Sequence, residues 1–374
     1  MFLVPLEREF GWTRSQVASV YSIYLLVNGG TAALVGLVFD RLGPRWVYGA
    51  GTTLLGTAFL LASGVTSLWQ FYLCIGVLVG LGVSLNGMVP GSALLARWYR
   101  ERLSTAIGIA FSAMGVGTIL FVPLAQSLIG AYDWRHAYRL LGMALIAIVP
   151  VLLLMPWKRF AAGSPHHRQE SRRKTPGEGW TLRRALRTPV FWGLAAVFFC
   201  TAAAMFSVIV QLVAFFIDVG FTPLTAASAF GFLGLASAIS VMASGVLSDR
   251  FGYRQTVTAS FAGTAAGMTV LLVLTFYASA ALLVLFVILF GFCMGTRGPI
   301  VSSISARYFS GAHVATIYGA IYSANALGAA FGSLAGGVLH DLTGGYRVAL
   351  AFALAFLALA VAPFWTVREL REFR

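Results

Sequence analysis

Apolar residues run along this chain in blocks rather than in short alternations. The stretches 190–216, 224–247 and 256–276 contain no charged residue at all. Each is longer than the ~20 residues that carry a helix across the hydrocarbon core of a bilayer. Read in the same way, the pattern predicts complete spans near 17–39, 46–65, 69–94, 104–129, 137–156, 190–216, 224–247, 256–276, 279–304, 314–339 and 346–365, eleven in all. Helices are expected because a backbone facing lipid has to satisfy its own hydrogen bonds. The alternating segments of ~10 residues that would mark a transmembrane barrel do not occur. The expected fold class is therefore all-α, a polytopic membrane protein.

Polar residues concentrate in one long segment, 157–189, which contains the run Ser164 to Gly179 and the basic stretch Ser171, Arg172, Arg173, Lys174. A segment of that composition cannot bury a core and reads as a linker. It divides the chain into a first bundle at 1–156, the linker at 157–189 and a six-helix bundle at 190–374.

The two bundles repeat each other. At an offset of 209, Gly11, Thr13 and Ser19 match Gly220, Thr222 and Ser228. Gly36, Asp40, Arg41, Gly43 and Arg45 match Gly245, Asp249, Arg250, Gly252 and Arg254. Ala96-Arg97-Trp98-Tyr99 lies over Ala306-Arg307-Tyr308-Phe309, and Gly108, Ser112 and Gly117 match Gly319, Ser323 and Gly328 at 211. Internal duplication of this kind builds many transporter folds. Subtracting the offset from the span at 190–216 places its partner mostly before Met1. The first bundle is thus expected to show only a remnant, Phe2 to Leu6, of its first helix.

Composition supports the membrane reading. Hydrophobic residues make up 59% of the chain, charged residues 10%, and mean hydropathy is +0.85. The net charge of +14 suggests nucleic acid at first sight, but its distribution points to topology instead. Twenty of the 26 Lys and Arg residues fall in the turns at 40–45, 97–102, 249–254 and 307, in the linker and in the C-terminal tail; five fall in the opposite loops. The positive-inside rule makes the linker and C-terminus cytoplasmic, in an inner (plasma) membrane. Cys74, Cys200 and Cys293 are far apart and form no metal spacing; His166 and His167 read as solvated loop. No cofactor, metal or nucleic-acid partner is expected. With no nucleophile–base pair in view, neither is an enzyme.

The turn Gly36-Leu-Val-Phe-Asp40-Arg41-Leu-Gly43-Pro-Arg45 and its copy Gly245-Val-Leu-Ser-Asp249-Arg250-Phe-Gly252-Tyr-Arg254 resemble the signature of the major facilitator superfamily. The resemblance covers nearly the whole chain. It implies two helix bundles that give alternating access, a monomer acting on a small-molecule substrate, and gating latches at Asp40, Arg41, Arg45, Asp249, Arg250 and Arg254. Within that superfamily, Glu9-Phe10-Gly11-Trp12-Thr13-Arg14-Ser15 is similar to the monocarboxylate transporter and oxalate/formate antiporter group, which implies an organic-anion cargo. The match departs from the group at 224–247, where neither the Asp nor the Arg of its eighth helix is present.

One charge lies well inside a span: Arg297, ten residues before Arg307 and so ~15 Å from that end of a helix. A charge at that depth costs roughly 2.5–3.5 kcal/mol on insertion scales and normally faces a cavity or a partner. No complete span contains an acidic partner for it, which suits a carboxylate ligand held by two hydrogen bonds. Snorkelling or bonding to helix carbonyls is the other reading. Asn86, Gln211, Asn325 and Tyr322 are the remaining polar candidates for binding, with Tyr318, Tyr322 and Asn325 on one helix face. No complete span holds a carboxylate suited to carry a proton, which leaves that role in a symporter to the missing first helix, the substrate's own acid group or an interfacial residue such as Asp218; antiport and facilitated diffusion stay open. The expected function is secondary transport of a monocarboxylate or dicarboxylate. A drug or hydrophobe exporter and a transporter-like sensor or inactive truncated paralogue fit the same helices.

Overall fold

The computed structural model describes residues 6, 9–12, 14–99, 102–163, 180–311 and 313–373. The described residues are helical throughout, with no strand among them. The segments in chain order are α1 (Arg14–Gly30), α2 (Ala32–Leu42), α3 (Pro44–Ala62), α4 (Leu68–Phe71), a π-helical segment (Tyr72–Leu78), α5 (Val79–Asn86), α6 (Met88–Ala96), α7 (Leu103–Ala131) and α8 (Trp134–Leu154). After α9 (Trp157–Ala162) and α10 (Leu182–Ala185) come α11 (Pro189–Ile209), α12 (Leu212–Asp218), α13 (Pro223–Phe251), α14 (Tyr253–Leu274) and α15 (Ala280–Met294). The chain closes with α16 (Arg297–Tyr308), α17 (Val314–Thr343), α18 (Arg347–Val361), α19 (Pro363–Thr366) and α20 (Arg368–Arg371).

Helix occupies each of the eleven expected intervals. Eight helices are long and apolar enough to cross a membrane, and a ninth span arises if the pair Ser19–Gly30 and Ala32–Leu42, bent by 46°, is counted as one. The other two expected spans coincide with α3 and α7. Most of the linker and its paired histidines lie outside the described residues, as does the expected stub except for Leu6, which is buried.

The described residues pack into two compact units that cut across the order of the sequence. The first holds residues 1–98, 116–182 and 309–323; the second holds 99–115, 183–308 and 324–374. The beginning of α7 thus packs with the second unit and the beginning of α17 with the first. Glycine makes these two crossings possible. A Cβ on Gly36 would strike the backbone of Ala315, and one on Gly319 would strike that of Ala32. The repeat mates do the same in the second unit: Gly245 lies against Ser104 and Gly108 against Val241. Four positions related by offsets of 209 and 211 therefore make four matching backbone contacts. Small residues at such crossings let helices approach without side chains between them.

Two spans are broken at repeat-related places. The span from Leu68 to Ala96 stops at Asn86 and restarts at Met88; the span from Ala280 to Tyr308 stops at Met294 and restarts at Arg297. Pro90 and Pro299, 209 apart, stand at the third position of the restarted segments. A proline removes one N–H and crowds the carbonyl four residues earlier, so the helix gives way just before it.

The Glu-Phe-Gly-Trp stretch closes one end of the first unit. Glu9 accepts hydrogen bonds from Trp134 Nε1 (2.5 Å) and Arg135 Nη2 (2.7 Å). Phe10 and Trp12 stack at 4.4 Å between centroids and cover a core of Leu6, Val20, Phe71, Trp134 and Tyr138. Arg135 also binds the carbonyls of Ser63 and Val65. The hydrogen bond from Arg135, then that from Trp134, holds the Glu9 carboxyl below its usual range. A lowered carboxyl stabilises the fold above the unfolded value of about 4.3 and stops doing so as pH falls through the folded one. Exposed pairs contribute up to about 1 kcal/mol. Melting of Glu9→Gln in detergent is therefore expected about 1–2 °C below the parent at pH 6, with the gap closing by pH 3. A gap that does not depend on pH would show that the charge plays no part.

Candidate functional site

Arg297 opens α16 directly after the break and is 2% exposed. Its guanidinium turns into the second unit. Nη1 donates to the carbonyl of Met294 (3.3 Å), and Nη2 donates to the carbonyl of Ser260 (3.2 Å) and to Thr264 Oγ1 (2.5 Å). The ring of Phe261 lies beneath it at 4.4 Å. Nε has no hydrogen-bond partner. The three oxygens that accept these bonds are neutral, so none of these contacts cancels its charge.

Hydroxyls surround the break itself. Ser260 Oγ donates to the carbonyl of Cys293 (2.7 Å) and also meets Thr296 Oγ1; Thr296 Oγ1 donates to the same carbonyl (3.1 Å). The first unit repeats the arrangement with an amide. Thr52 Oγ1 donates to Asn86 Oδ1 (3.3 Å), and Asn86 Nδ2 donates to the carbonyl of Gly82 (2.9 Å). Asn86, the last residue before its break, and Thr296, within the other break, are 210 apart.

The five expected binding residues are divided between the two units. Asn86 and Tyr322 belong to the first unit, and Arg297, Gln211 and Asn325 to the second. The described partners of Arg297 include none of the other four. Gln211 sits at the joint between α11 and α12 and lines a narrow crevice of about 10 Å³ with Ser207, Phe215 and Tyr346. Tyr322 and Asn325 are half-buried on α17. Tyr318, one turn before Tyr322, is buried and donates weakly to Met88 Sδ (3.9 Å).

The Asp-Arg turns are better defined. Gly43 and Gly252 adopt φ of 77° and 88° between consecutive helices, a left-handed turn open to glycine at little cost. Asp40 Oδ2 accepts from Thr316 N (2.9 Å) and Thr316 Oγ1 (2.8 Å). Asp249 Oδ2 accepts from Thr105 N (2.9 Å) and Thr105 Oγ1 (2.8 Å). Each carboxylate thereby satisfies an amide in the first turn of a long helix, where the helix dipole favours negative charge. Arg307 Nη2 stands 3.6 Å from Asp249 Oδ1, and Arg97, its repeat mate, attracts Asp40.

The arginines of the turns themselves do something else. Arg41 and Arg250 are exposed. Arg45, Arg250 and Arg254 stack on Trp46, Phe251 and Trp365. Thr105, Thr316, Arg97 and Arg307 were not picked out as partners from the sequence. Their signal was present in the repeat, since Arg97 and Arg307 belong to the matched stretches and Thr105 and Thr316 are 211 apart.

The family model for the major facilitator superfamily matches residues 1–248 and 217–372. The chain belongs to the major facilitator superfamily. It is a multi-pass membrane transporter, which works in a lipid bilayer on a small-molecule cargo. Among curated relatives, monocarboxylate transporter 13 of Rattus norvegicus is 28% identical over 362 residues, spanning 96% of this chain and 81% of that one. Monocarboxylate transporter 12 of Mus musculus is 27% identical over 401 residues, spanning 100% and 82%. Among solved structures of the superfamily, a proton:xylose symporter aligns with a TM-score of 0.78 at 15% identity, covering 98% of this chain and 90% of that one. The fucose:proton symporter of Escherichia coli aligns at 0.76 and 14%, covering 96% and 92%. At such identity these two establish the fold alone.

Proposed function

We propose that this superfamily member carries a small organic anion, a monocarboxylate or dicarboxylate, across the membrane by alternating access. It acts as a monomer in the inner (plasma) membrane, with its cation-rich turns, linker and C-terminus in the cytoplasm. The observation that carries the anionic cargo is Arg297, a cation buried without a carboxylate among its described partners. Its free Nε edge is the part of the guanidinium offered to a carboxylate. The names of the relatives at 28% and 27% identity agree with that cargo.

In this reading Asn86, Gln211, Asn325 and Tyr322 orient the substrate as the halves 1–156 and 190–374 rock. The turns at Asp40, Arg41, Arg45 and Asp249, Arg250, Arg254 set the state. Asp40 on Thr316 and Asp249 on Thr105 are the contacts that break when the state changes. Stacking keeps Arg45, Arg250 and Arg254 at the membrane surface as anchors.

The test is uptake of radiolabelled lactate, pyruvate and oxalate into proteoliposomes. Saturable uptake of at least one, well above that of protein-free liposomes and competed by the unlabelled anion, is expected. Vesicles that take up none of the three but extrude a lipophilic cationic dye would make the chain an exporter.

A further inference from the structure

The duplication brings two carboxylates to equivalent places, and the structure treats them differently. Glu9 and Asp218 are 209 apart, and each precedes by two residues a glycine of positive φ, 66° at Gly11 and 109° at Gly220. Each accepts a hydrogen bond from an aromatic residue at the start of a later helix. Trp134 Nε1 donates to Glu9 Oε2 (2.5 Å), and Tyr346 OH donates to Asp218 Oδ2 (2.6 Å). The next residue is arginine in both copies, Arg135 and Arg347.

In the first unit the arginine closes the arrangement, with Arg135 Nη2 2.7 Å from Glu9 Oε1. In the second it does not. Arg347 lies instead over the ring of Phe276 at 4.2 Å. Between the ends of α12, α14 and α17 a cavity of about 610 Å³ opens, lined by both Asp218 and Arg347. Thr275, Thr343 and Tyr346 add polar groups, and Phe215, Leu274 and Val348 add apolar wall. The carboxylate is held in place by Tyr346, and the guanidinium is held flat by Phe276. A fixed anion and a fixed cation therefore face one space that is large enough for a small molecule.

We infer that this cavity binds a small amphiphilic zwitterion, an amino acid with an aliphatic side chain. Its carboxylate pairs with Arg347, its ammonium pairs with the Asp218 oxygen that Tyr346 leaves open, and its side chain lies against Leu274 and Val348. A ligand of either single charge would meet one matched group and one opposed group. Asp218 and Arg347 are both exposed, and charge pairs in contact with water are weak. The affinity is accordingly roughly millimolar. The site is distinct from Arg297 and does not depend on the cargo proposed above.

The experiment is calorimetric titration of the purified full-length protein with L-leucine, 4-methylpentanoate and 3-methylbutylamine, which share a branched aliphatic body. L-Leucine is expected to bind at least tenfold tighter than either single-charge compound. Asp218→Asn and Arg347→Gln should each weaken L-leucine at least tenfold, while Arg347→Lys retains part of the affinity. Asp218→Asn removes the charge that opposes 4-methylpentanoate, so binding of that compound should be as tight as in the parent or tighter, which shows that the variant is still folded at this end. The inference is overturned if L-leucine binds no tighter than 4-methylpentanoate. It is equally overturned if either variant leaves L-leucine binding unchanged.

Discussion

Arg297→Ala is expected to reduce anion uptake per folded molecule about a hundredfold, equivalent to about 2.7 kcal/mol, and to lower the stability of the protein as well. Two opposing terms set the stability. Truncation removes the hydrogen bonds to Met294, Ser260 and Thr264, each worth about 1.5–3 kcal/mol with a charged donor. It also releases the cost of holding an uncompensated charge in the span, about 2.5–3.5 kcal/mol. Three such bonds outweigh that relief, so alanine also lowers stability and uptake has to be compared per folded molecule. The loss of transport comes on top of this, because alanine leaves the substrate carboxylate without a cation. Arg297→Lys keeps the charge but not the two-pronged geometry, and should raise KM more than it lowers the maximal rate. Uptake kinetics and melting temperature, measured on the same preparations, decide the matter. Uptake by Arg297→Ala within threefold of the parent would leave the guanidinium as a staple across the helix break and nothing more.

The second large effect concerns Asp249. Asp249→Ala deletes both hydrogen bonds to Thr105 and removes the carboxylate 3.6 Å from Arg307. Losing one partner of a largely buried charged pair costs roughly 2–5 kcal/mol. Even the lower figure corresponds to about a thirtyfold rise in opening. Hydrogen exchange should therefore accelerate at least that much at Thr105, Ala106 and Ile107, the first turns of α7. Thr105→Ala removes the hydroxyl bond alone and should accelerate exchange only about fivefold, near 1 kcal/mol. Asp40→Ala should act on Thr316 in the same way and leave Thr105 unchanged. Unaltered exchange at the start of α7 in Asp249→Ala would rule out a latch there.

Much of this was readable from residues alone, because spans, turns and duplication are written in local chemistry. Runs without charge mark the helices. Asp40-Arg41 and Asp249-Arg250 mark two equivalent turns, and Arg297 stands out because nothing near it in sequence is charged. What the sequence hid was pairing. Asp40 meets Thr316, 276 residues away, and a contact of that range depends on how helices cross rather than on any local pattern. The arginines next to each aspartate looked like its partners by proximity. They point outward because consecutive residues on a helix diverge by about 100°; the cation that pairs with Asp249 comes from α16, and the one that attracts Asp40 from the end of α6. The break after Asn86 was legible in principle, since Pro90 repeats Pro299.

The broken spans also bear on how the molecule meets its bilayer. A continuous helix that is too long or too short for the local hydrocarbon thickness adapts by tilting as a single rod. The spans from Leu68 to Ala96 and from Ala280 to Tyr308 are each interrupted by a break of one or two residues. The joints at Gly87 and at Gly295–Thr296 let one rod lean while the other keeps its packing against its own unit. Thinning or thickening of the membrane is then taken up at two hinges in equivalent positions, and the long crossings at Gly36 and Gly245 are spared the strain.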